Sequence, residues 1–569
     1  MALIVLLLLG GLALFHVSER AWTCDDAFIS YRYAKHLVEG RGLVFNEGER
    51  IEGYTNPLFT LGVAAAMALG AEPRIASMLA GAIAYFAVAM MLASWSRSRT
   101  EPGKWWLPLG AALWLVQDDL HTWATGGLET TVFAAFSLAG IRSFTRTPAS
   151  SRSLALGSTW LALACLTRPD GVVFAAVGVL GVLMTSRLSG ARGRELGEHL
   201  VAALVPLAVI GSAFAAFKLR YYGRLLPTTF YAKSASDPYY TQGLVYLFSY
   251  AAKHWAMSLA CVALPIAAVA TGGARDLFTR RDALLALAAF AAFSTYIAHS
   301  GGDYMFARRL VPALPFLFVF LDAAACSLPR GLGAASALAV VVGSFFPHSL
   351  LPEDRRAYYH GITDERLHYP EAIVVVRREQ GRLARRVFQG IDVKASFAGA
   401  MCMFAYYSDL PYLIEANGLT QYWAAERPLA RRTNKIGHEK ALSRDELREH
   451  GATLIFHRDL PPLMQPEPRF DEIFVERVLR VEMLVYDDAL MARLARIPGV
   501  TFRRIDDTLR EAAADIRTMS CEDARASQES LSHFYLDRHP ERVPPIRDAV
   551  KAACGEAASV SPVKDAGLR

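Results

Sequence analysis

The sequence predicts a polytopic α-helical membrane protein with about eleven transmembrane helices, followed by a C-terminal soluble α/β domain. Three observations lead there. Apolar residues make up 53% of the 569-residue chain and the mean hydropathy is +0.24, more than a soluble protein of this size requires. The apolar residues are unevenly placed: long blocks run from Met1 to about His348, whereas Ser349–Arg569 is rich in charge. Within the first part the basic residues gather in short loops between the blocks, as the positive-inside rule expects.

A span needs about 20 apolar residues, with about 17 as a lower bound. Candidate spans fall near Leu3–Val17, Arg74–Trp95, Trp105–Gln117, Gly127–Ile141, Ser153–Leu166, Val172–Met184, Val201–Leu219, Trp255–Thr271, Ala283–His299, Val311–Cys326 and Gly333–Phe346. Ala2–Val17 has no basic opening and no small-residue cleavage site, so it reads as a first membrane helix rather than a signal peptide. Pro57–Gly70 reads as a partial or interfacial helix, because counting it as a span would put the basic loop Ser96–Lys104 on the wrong side. That loop, with Arg142–Arg152, Arg187–His199, Arg275–Asp282 and Pro329–Arg330, reads as cytoplasmic. The acidic, aromatic or mixed loops Glu19–Asn56, Asp118–Gly126, Thr167–Gly171, Arg220–His254 and Ser300–Arg309 read as extracytoplasmic. The expected division is a membrane domain over 1–348 with its first outer loop at 18–56, an extracytoplasmic α/β domain over 349–555, and a disordered tail over 556–569. Strand character marks Ala395–Tyr407, Ala452–His457, Val481–Tyr486 and Val500–Arg504, and helical spacing marks Ala489–Arg496.

A net charge of +6 distributed over short loops, with no long basic run and no aromatic-plus-basic stripe, argues against nucleic acid as a partner. The seven cysteines show no zinc spacing. Cys165, Cys261 and Cys326 lie in apolar segments and read as packing residues. Cys521 and Cys554 lie in the soluble part and would pair in an oxidising compartment. No P-loop, dinucleotide-binding glycine motif, HExxH or Ser–His–Asp arrangement is evident.

The sharpest chemical signal is the first outer loop, where Asp25 and Asp26 follow a membrane helix directly. Ionisable groups at that depth are costly and mark functional sites, although one aspartate would also serve as the cap of a helix starting at Ala27. The string from Asp25 to Phe59, "DDAFISYRYAKHLVEGRGLVFNEGERIEGYTNPLF", resembles the first outer loop of the GT-C superfamily of polyprenyl-phosphate-sugar-dependent glycosyltransferases. Within it the chain is most similar to the mycobacterial-type terminal arabinofuranosyltransferases. The likeness continues in "GGLETTVF" from Gly126, "LTRPDG" from Leu166, "YYGRLLPTTFYAK" from Tyr221, "HSGGDYMFARRLVPALP" from His299, "YYSDLPYLIEANGLT" from Tyr406 and "GHEK" from Gly437. Thr228 and Glu415 stand where that family more often has Asn and Asp.

The resemblance implies transfer of a sugar, arabinofuranose in that group, from a polyprenyl-phosphate donor to a cell-envelope glycan or lipid acceptor. The site would face outward from a bacterial inner membrane. Asp25 and Asp26 map onto the family's catalytic carboxylates; one would take the acceptor proton while the anomeric carbon becomes cation-like. With one base and no covalent intermediate, the anomeric centre would invert. Arg168, Lys233, Arg308 and Arg309 are candidates for the donor phosphate, against the plainer readings of a turn-closing Arg–Asp pair and of interfacial or snorkelling cations. Glu52, Asn56, Glu129, Tyr222, His299 and Asp303 are candidates for the sugar or acceptor, against helix capping, loop ordering and interfacial anchoring. The Asp25–Asp26 pair is compatible with a divalent cation but does not require one, and no resident metal is expected. Two other readings stand beside this one: a transporter using the acidic pair as a proton relay, and a non-catalytic membrane scaffold presenting a glycan-binding tail.

Overall fold

A computed structural model describes residues 2–99, 107–146, 150–188, 193–354, 356–399, 401–465 and 467–555. The tail expected to be disordered, 556–569, lies outside the described residues, as do 100–104, 147–149 and 189–192 of the basic loops and 105–106 of one expected span.

The chain divides into two compact units: Met1–Ile373 with Asn417–Lys440, and Val374–Ala416 with Ala441–Arg569. These bounds differ from the single cut expected after 348. Residues 349–373 pack with the first unit because Thr363 N donates to Tyr304 O (2.9 Å) and Phe306 N donates to Thr363 O (3.0 Å). Asn417–Lys440 returns to it because Lys440 Nζ donates to the carbonyls of Tyr231 and Ala425, both at 2.8 Å, and Thr228 Oγ1 donates to Leu419 O at 2.6 Å. Hydropathy cannot see such a return, since the segment is polar and its partners are backbone carbonyls.

The first unit is helical, and each expected span has a helix at its place. Among the described residues, three helices are long and apolar enough to cross a membrane: Pro73–Arg97, Arg194–Tyr221 and Arg281–His299. A fourth candidate is the pair Tyr240–Lys253 and Trp255–Ala270, bent by 89°. The other helices at the expected spans run from 8 to 18 residues, under the about 20 that a full span needs. The span expected at Trp105–Gln117 is the eight-residue helix Leu109–Val116, ending where the extended backbone of Gln117 leads into Asp118–Ala124. Pro57–Ala68, at 12 residues, is about 18 Å long and suits the partial helix read from the sequence.

Helix starts follow local chemistry. Pro73 occupies the first turn of its helix, and the Glu72 side chain accepts from Ile75 N at 2.9 Å. Ser150 and Ser153 form a reciprocal capping pair that opens Ser151–Thr167. That helix meets Thr130–Phe144 through Gly157 and Gly140. A Cβ on Gly140 would come within 2.5 Å of Leu161, and one on Gly157 within 2.5 Å of Phe144. Small residues that let helix backbones approach this closely are a means of association in a lipid environment.

The second unit contains a six-stranded mixed sheet: β1 (Ala395–Ala398), β2 (Leu413–Glu415), β3 (Leu454–His457), β4 (Glu472–Val475), β5 (Leu479–Met483) and β6 (Val500–Phe502). The spatial order is β2-β1-β3-β5-β4-β6; β1 is parallel to β2 and β3, and the remaining pairings are antiparallel. The strand expected over Ala395–Tyr407 is therefore only its first part; Cys402–Ser408 is a helix ended by Asp409 at φ 50°. Cys521 and Cys554 form a disulfide that joins the start of the Cys521–Phe534 helix to the end of the Val543–Cys554 helix.

Candidate active site

The acidic pair is held where the first loop meets the Gly126–Glu129 turn. Cys24 N donates to Gly126 O (2.9 Å), and Trp22 Nε1 donates to Thr122 O (2.8 Å). Gly127, at φ +75°, sits so close to Tyr31 that a Cβ would fall 2.6 Å from its hydroxyl. Asp25 is 1% exposed. Asp26 stands at the N-cap of Ala27–Val38, but its side chain makes no capping hydrogen bond. That side chain keeps 31% of its exposure and faces Arg308, whose Nη1 lies 3.6 Å from Asp26 Oδ2. Burial raises the Asp26 carboxyl above the usual aspartate range, against the pull of Arg308 and Lys233.

Asp303, Arg308 and Arg309 come from one short loop. Arg308 Nε lies 3.7 Å from Asp303 Oδ2, and Asp303 is 3% exposed. Arg308 and Lys233 hold the Asp303 carboxyl below its ordinary value against burial. Lys233 forms no ion pair among the described residues. Burial lowers its ammonium, while the charges of Asp303 and Asp26 pull the other way. A Cβ at Gly437 would lie 3.2 Å from Lys233 Cε, so the returning segment passes against this lysine.

A second group lies beside the first. Arg168 Nη1 donates to Glu129 Oε1 (2.7 Å) and Nη2 to Asp170 Oδ2 (2.9 Å). Asn56 Nδ2 donates to Glu129 Oε2 (2.7 Å), and Ser30 Oγ donates to Asn56 Oδ1 (2.9 Å). Arg309 Nη1 donates to Ser300 Oγ (2.7 Å) and Gly302 O (2.9 Å), and its Nη2 lies 3.7 Å from Asp170. Arg168 and Arg309 are thus committed to protein partners; Arg168 closes its own turn through Asp170 and also ties that turn to Glu129.

The remaining sequence candidates are engaged with partners other than Asp26. Glu52 pairs with Lys218 Nζ at 2.7 Å. Tyr222 donates to Leu43 O (2.9 Å) and shares a hydrogen bond with Tyr54 (3.0 Å). These contacts order the first loop against the 218–228 stretch. The His299 ring packs on Tyr240, with centroids 5.5 Å apart.

Three groups at the site were not singled out from the sequence, or were given no role there. Glu365, 5% exposed, opens the turn Glu365–His368 and feels the charge of Asp26. Lys435 lies over the rings of Tyr304 (5.8 Å) and Tyr358 (5.1 Å). The His438 ring meets Tyr304 edge-on at 4.8 Å, and burial pushes its imidazole down to about 3, so it is neutral. Only the "GHEK" string hinted at His438; its neighbour Glu439 is engaged by Arg432 Nη1 and Thr433 N, both at 2.9 Å.

Asp118, Asp119 and His254 are the one group among the described residues that could hold a metal ion. The Lys253 ammonium already stands there, 3.0 Å from Asp118 and 2.8 Å from Asp119, with His254 Nε2 2.8 Å from Asp119. A resident lysine supplies the positive charge a cation would bring.

In fold the chain is similar to ArnT from Cupriavidus metallidurans in its apo state, with a TM-score of 0.50 over 84% of this chain and 97% of that one. At 11% identity that likeness concerns the fold alone. In sequence the chain is arabinofuranosyltransferase-like. It is similar to the terminal β-(1→2)-arabinofuranosyltransferase of Mycobacterium tuberculosis, 25% identical over 415 residues, covering 62% of this chain and 63% of that protein. It is likewise similar to the protein of the same name from Corynebacterium glutamicum, 31% identical over 348 residues, covering 53% of this chain and 47% of that protein. The matched region therefore spans less than two thirds of either relative. No family model matches the chain.

Proposed function

We propose that this protein transfers a sugar, arabinofuranose by analogy with its relatives, from a polyprenyl-phosphate donor to a cell-envelope glycan on the outer face of the membrane. The observation that carries the reading is the accessible Asp26 carboxylate facing Arg308 and Lys233 in an outer-loop site. The disulfide between Cys521 and Cys554 supports an oxidising, extracytoplasmic location for the second unit.

Asp26 is the general base and Asp25, buried, is structural. Burial makes Asp26 a stronger base than a solvated aspartate, while the nearby cations keep it ionised enough to act. Asp26 takes the proton of the acceptor hydroxyl as that oxygen bonds the anomeric carbon. The bond from that carbon to the phosphate oxygen breaks, and the departing polyprenyl phosphate meets Lys233 and Arg308. Asp303 orients Arg308, and the Glu129–Arg168–Asp170 group braces the loops behind it. Direct displacement of this kind inverts the anomeric centre; retention would require Asp26 to attack the sugar first. A bound divalent cation is not needed for either step.

The test is a transfer assay with purified full-length protein, a panel of polyprenyl-phosphate sugars and an arabinofuranosyl oligosaccharide. One donor is expected to release polyprenyl phosphate. Asp26→Asn is expected to reduce kcat by about a thousandfold and Asp25→Asn to act mainly on thermal stability. Full activity of Asp26→Asn would remove the proposed base.

A further inference from the structure

We propose that Glu365 hydrogen-bonds a hydroxyl of the acceptor glycan and so positions that glycan against Asp26, an inference that rests on the transfer reading above. Its placement argues for this. Glu365 is 5% exposed, yet its carboxyl has no hydrogen-bond or ion-pair partner among the described residues. Buried polar groups are almost always satisfied, so a carboxyl left open beside a site calls for a partner, and a bound ligand supplies one. The turn that carries it is fixed. Asp364 accepts from Arg366 N (3.1 Å), and Thr363 is bonded through both backbone groups to Tyr304 and Phe306 of the Asp303–Arg308 loop. Glu365 is therefore locked to the same loop that faces Asp26.

The surroundings suit a sugar more than a phosphate. Glu365 is pushed up to about 8, first by burial and then by the charge of Asp26; Asp303 and Asp25 add to this and Lys435 opposes it. Cys24, Tyr304 and Tyr369 also face it. A carboxyl that stays protonated near neutrality both donates and accepts toward a hydroxyl. Tyr304 and Tyr369 wall it with buried rings, Tyr369 stacked on Trp22 at 6.3 Å. The largest influence after burial is the charge of the proposed base, whose partner in the reaction is the acceptor hydroxyl. Above about pH 8 Glu365 ionises and places a further negative charge beside Asp26 and Asp303.

The experiment is calorimetric binding of an arabinofuranosyl trisaccharide to the full-length protein without donor, from pH 6 to 9, with undecaprenyl phosphate as a control ligand. Wild type is expected to bind the trisaccharide less well above about pH 8. Glu365→Ala is expected to weaken trisaccharide binding about tenfold with polyprenyl-phosphate binding unchanged. Glu365→Gln, which keeps a neutral hydrogen-bonding group of the same size, is expected to bind within about twofold at pH 7 and to lose the alkaline weakening. The proposal is overturned if folded Glu365→Ala binds the trisaccharide normally, if both ligands weaken together, or if wild type does not bind the trisaccharide. Should Glu365→Ala fail to fold, an alkaline limb that survives in Glu365→Gln overturns it instead. Binding without transfer from any donor would reject the transfer reading alone; transfer with an unchanged Glu365→Ala acceptor affinity would reject this inference alone.

Discussion

Among the four cations that the sequence offered for a donor phosphate, the structure separates the committed from the available. Arg168 and Arg309 use their guanidinium groups on Glu129, Asp170, Ser300 and Gly302, whereas Lys233 has no ion pair among the described residues while lying within the influence of Asp303 and Asp26. Lys233→Gln is accordingly expected to raise the donor KM about tenfold and leave the acceptor KM in place, measured by steady-state release of polyprenyl phosphate. The raised Asp26 carboxyl sets a second expectation. Activity needs its ionised form, so the acid limb of the rate profile should lie above the ordinary aspartate range and vanish in Asp26→Asn, which is read from kcat/KM against pH. Adjacent aspartates are equivalent in a sequence. What ranks them is exposure, 1% of the Asp25 residue against 31% of the Asp26 side chain, and exposure is a property of the packed loop.

At the scale of elements, the loop between Arg281–His299 and Leu314–Cys326 depends on a backbone conformation that glycine allows. Gly302 has φ +74°, and a Cβ there would stand 2.6 Å from Tyr246, whose hydroxyl donates to Met305 O (3.1 Å) and accepts from Arg309 N (3.1 Å). Gly302→Ala is expected to displace Tyr246 and the loop it holds, lowering kcat at least tenfold with a reduced Tm, followed by thermal melt and transfer assay on one preparation. Much of this was legible beforehand. Apolar blocks marked a helix at each expected span, though not Tyr240–Lys253, which lies in a stretch read as an outer loop, and the strings from Gly126, Leu166 and His299 marked loops that the fold brings together around Glu129, Arg168 and Arg308. Helix lengths were not legible. Hydropathy ended the Trp105–Gln117 span next to the true helix end at Val116, but it counts Leu107 and Pro108 as span although the helix starts only at Leu109.

For the molecule as a whole, the sequence's one hydropathy boundary stands in place of three chain crossings, after residues 373, 416 and 440. The sequence carries no signal for Glu365 and Lys435, and only the family-like string for His438, for that reason: all three lie in stretches whose polarity assigns them to the soluble part, yet they belong to the unit that holds Asp26. A chain ended at residue 373 lacks Lys435 and His438 and leaves Thr228 Oγ1 without Leu419 O. It is expected to lose transfer activity even when recovered folded in detergent, judged by size-exclusion profile and transfer assay together.

The return of Asn417–Lys440 also bears on inheritance. A gene whose halves encoded separable parts could exchange its 3′ half with a cousin's and keep working. Here such an exchange would swap part of the helical unit along with the sheet, so the two portions are bound to diverge in step, and hybrids joined at the hydropathy boundary should be sterile in a complementation screen unless residues 417–440 travel with their own helices.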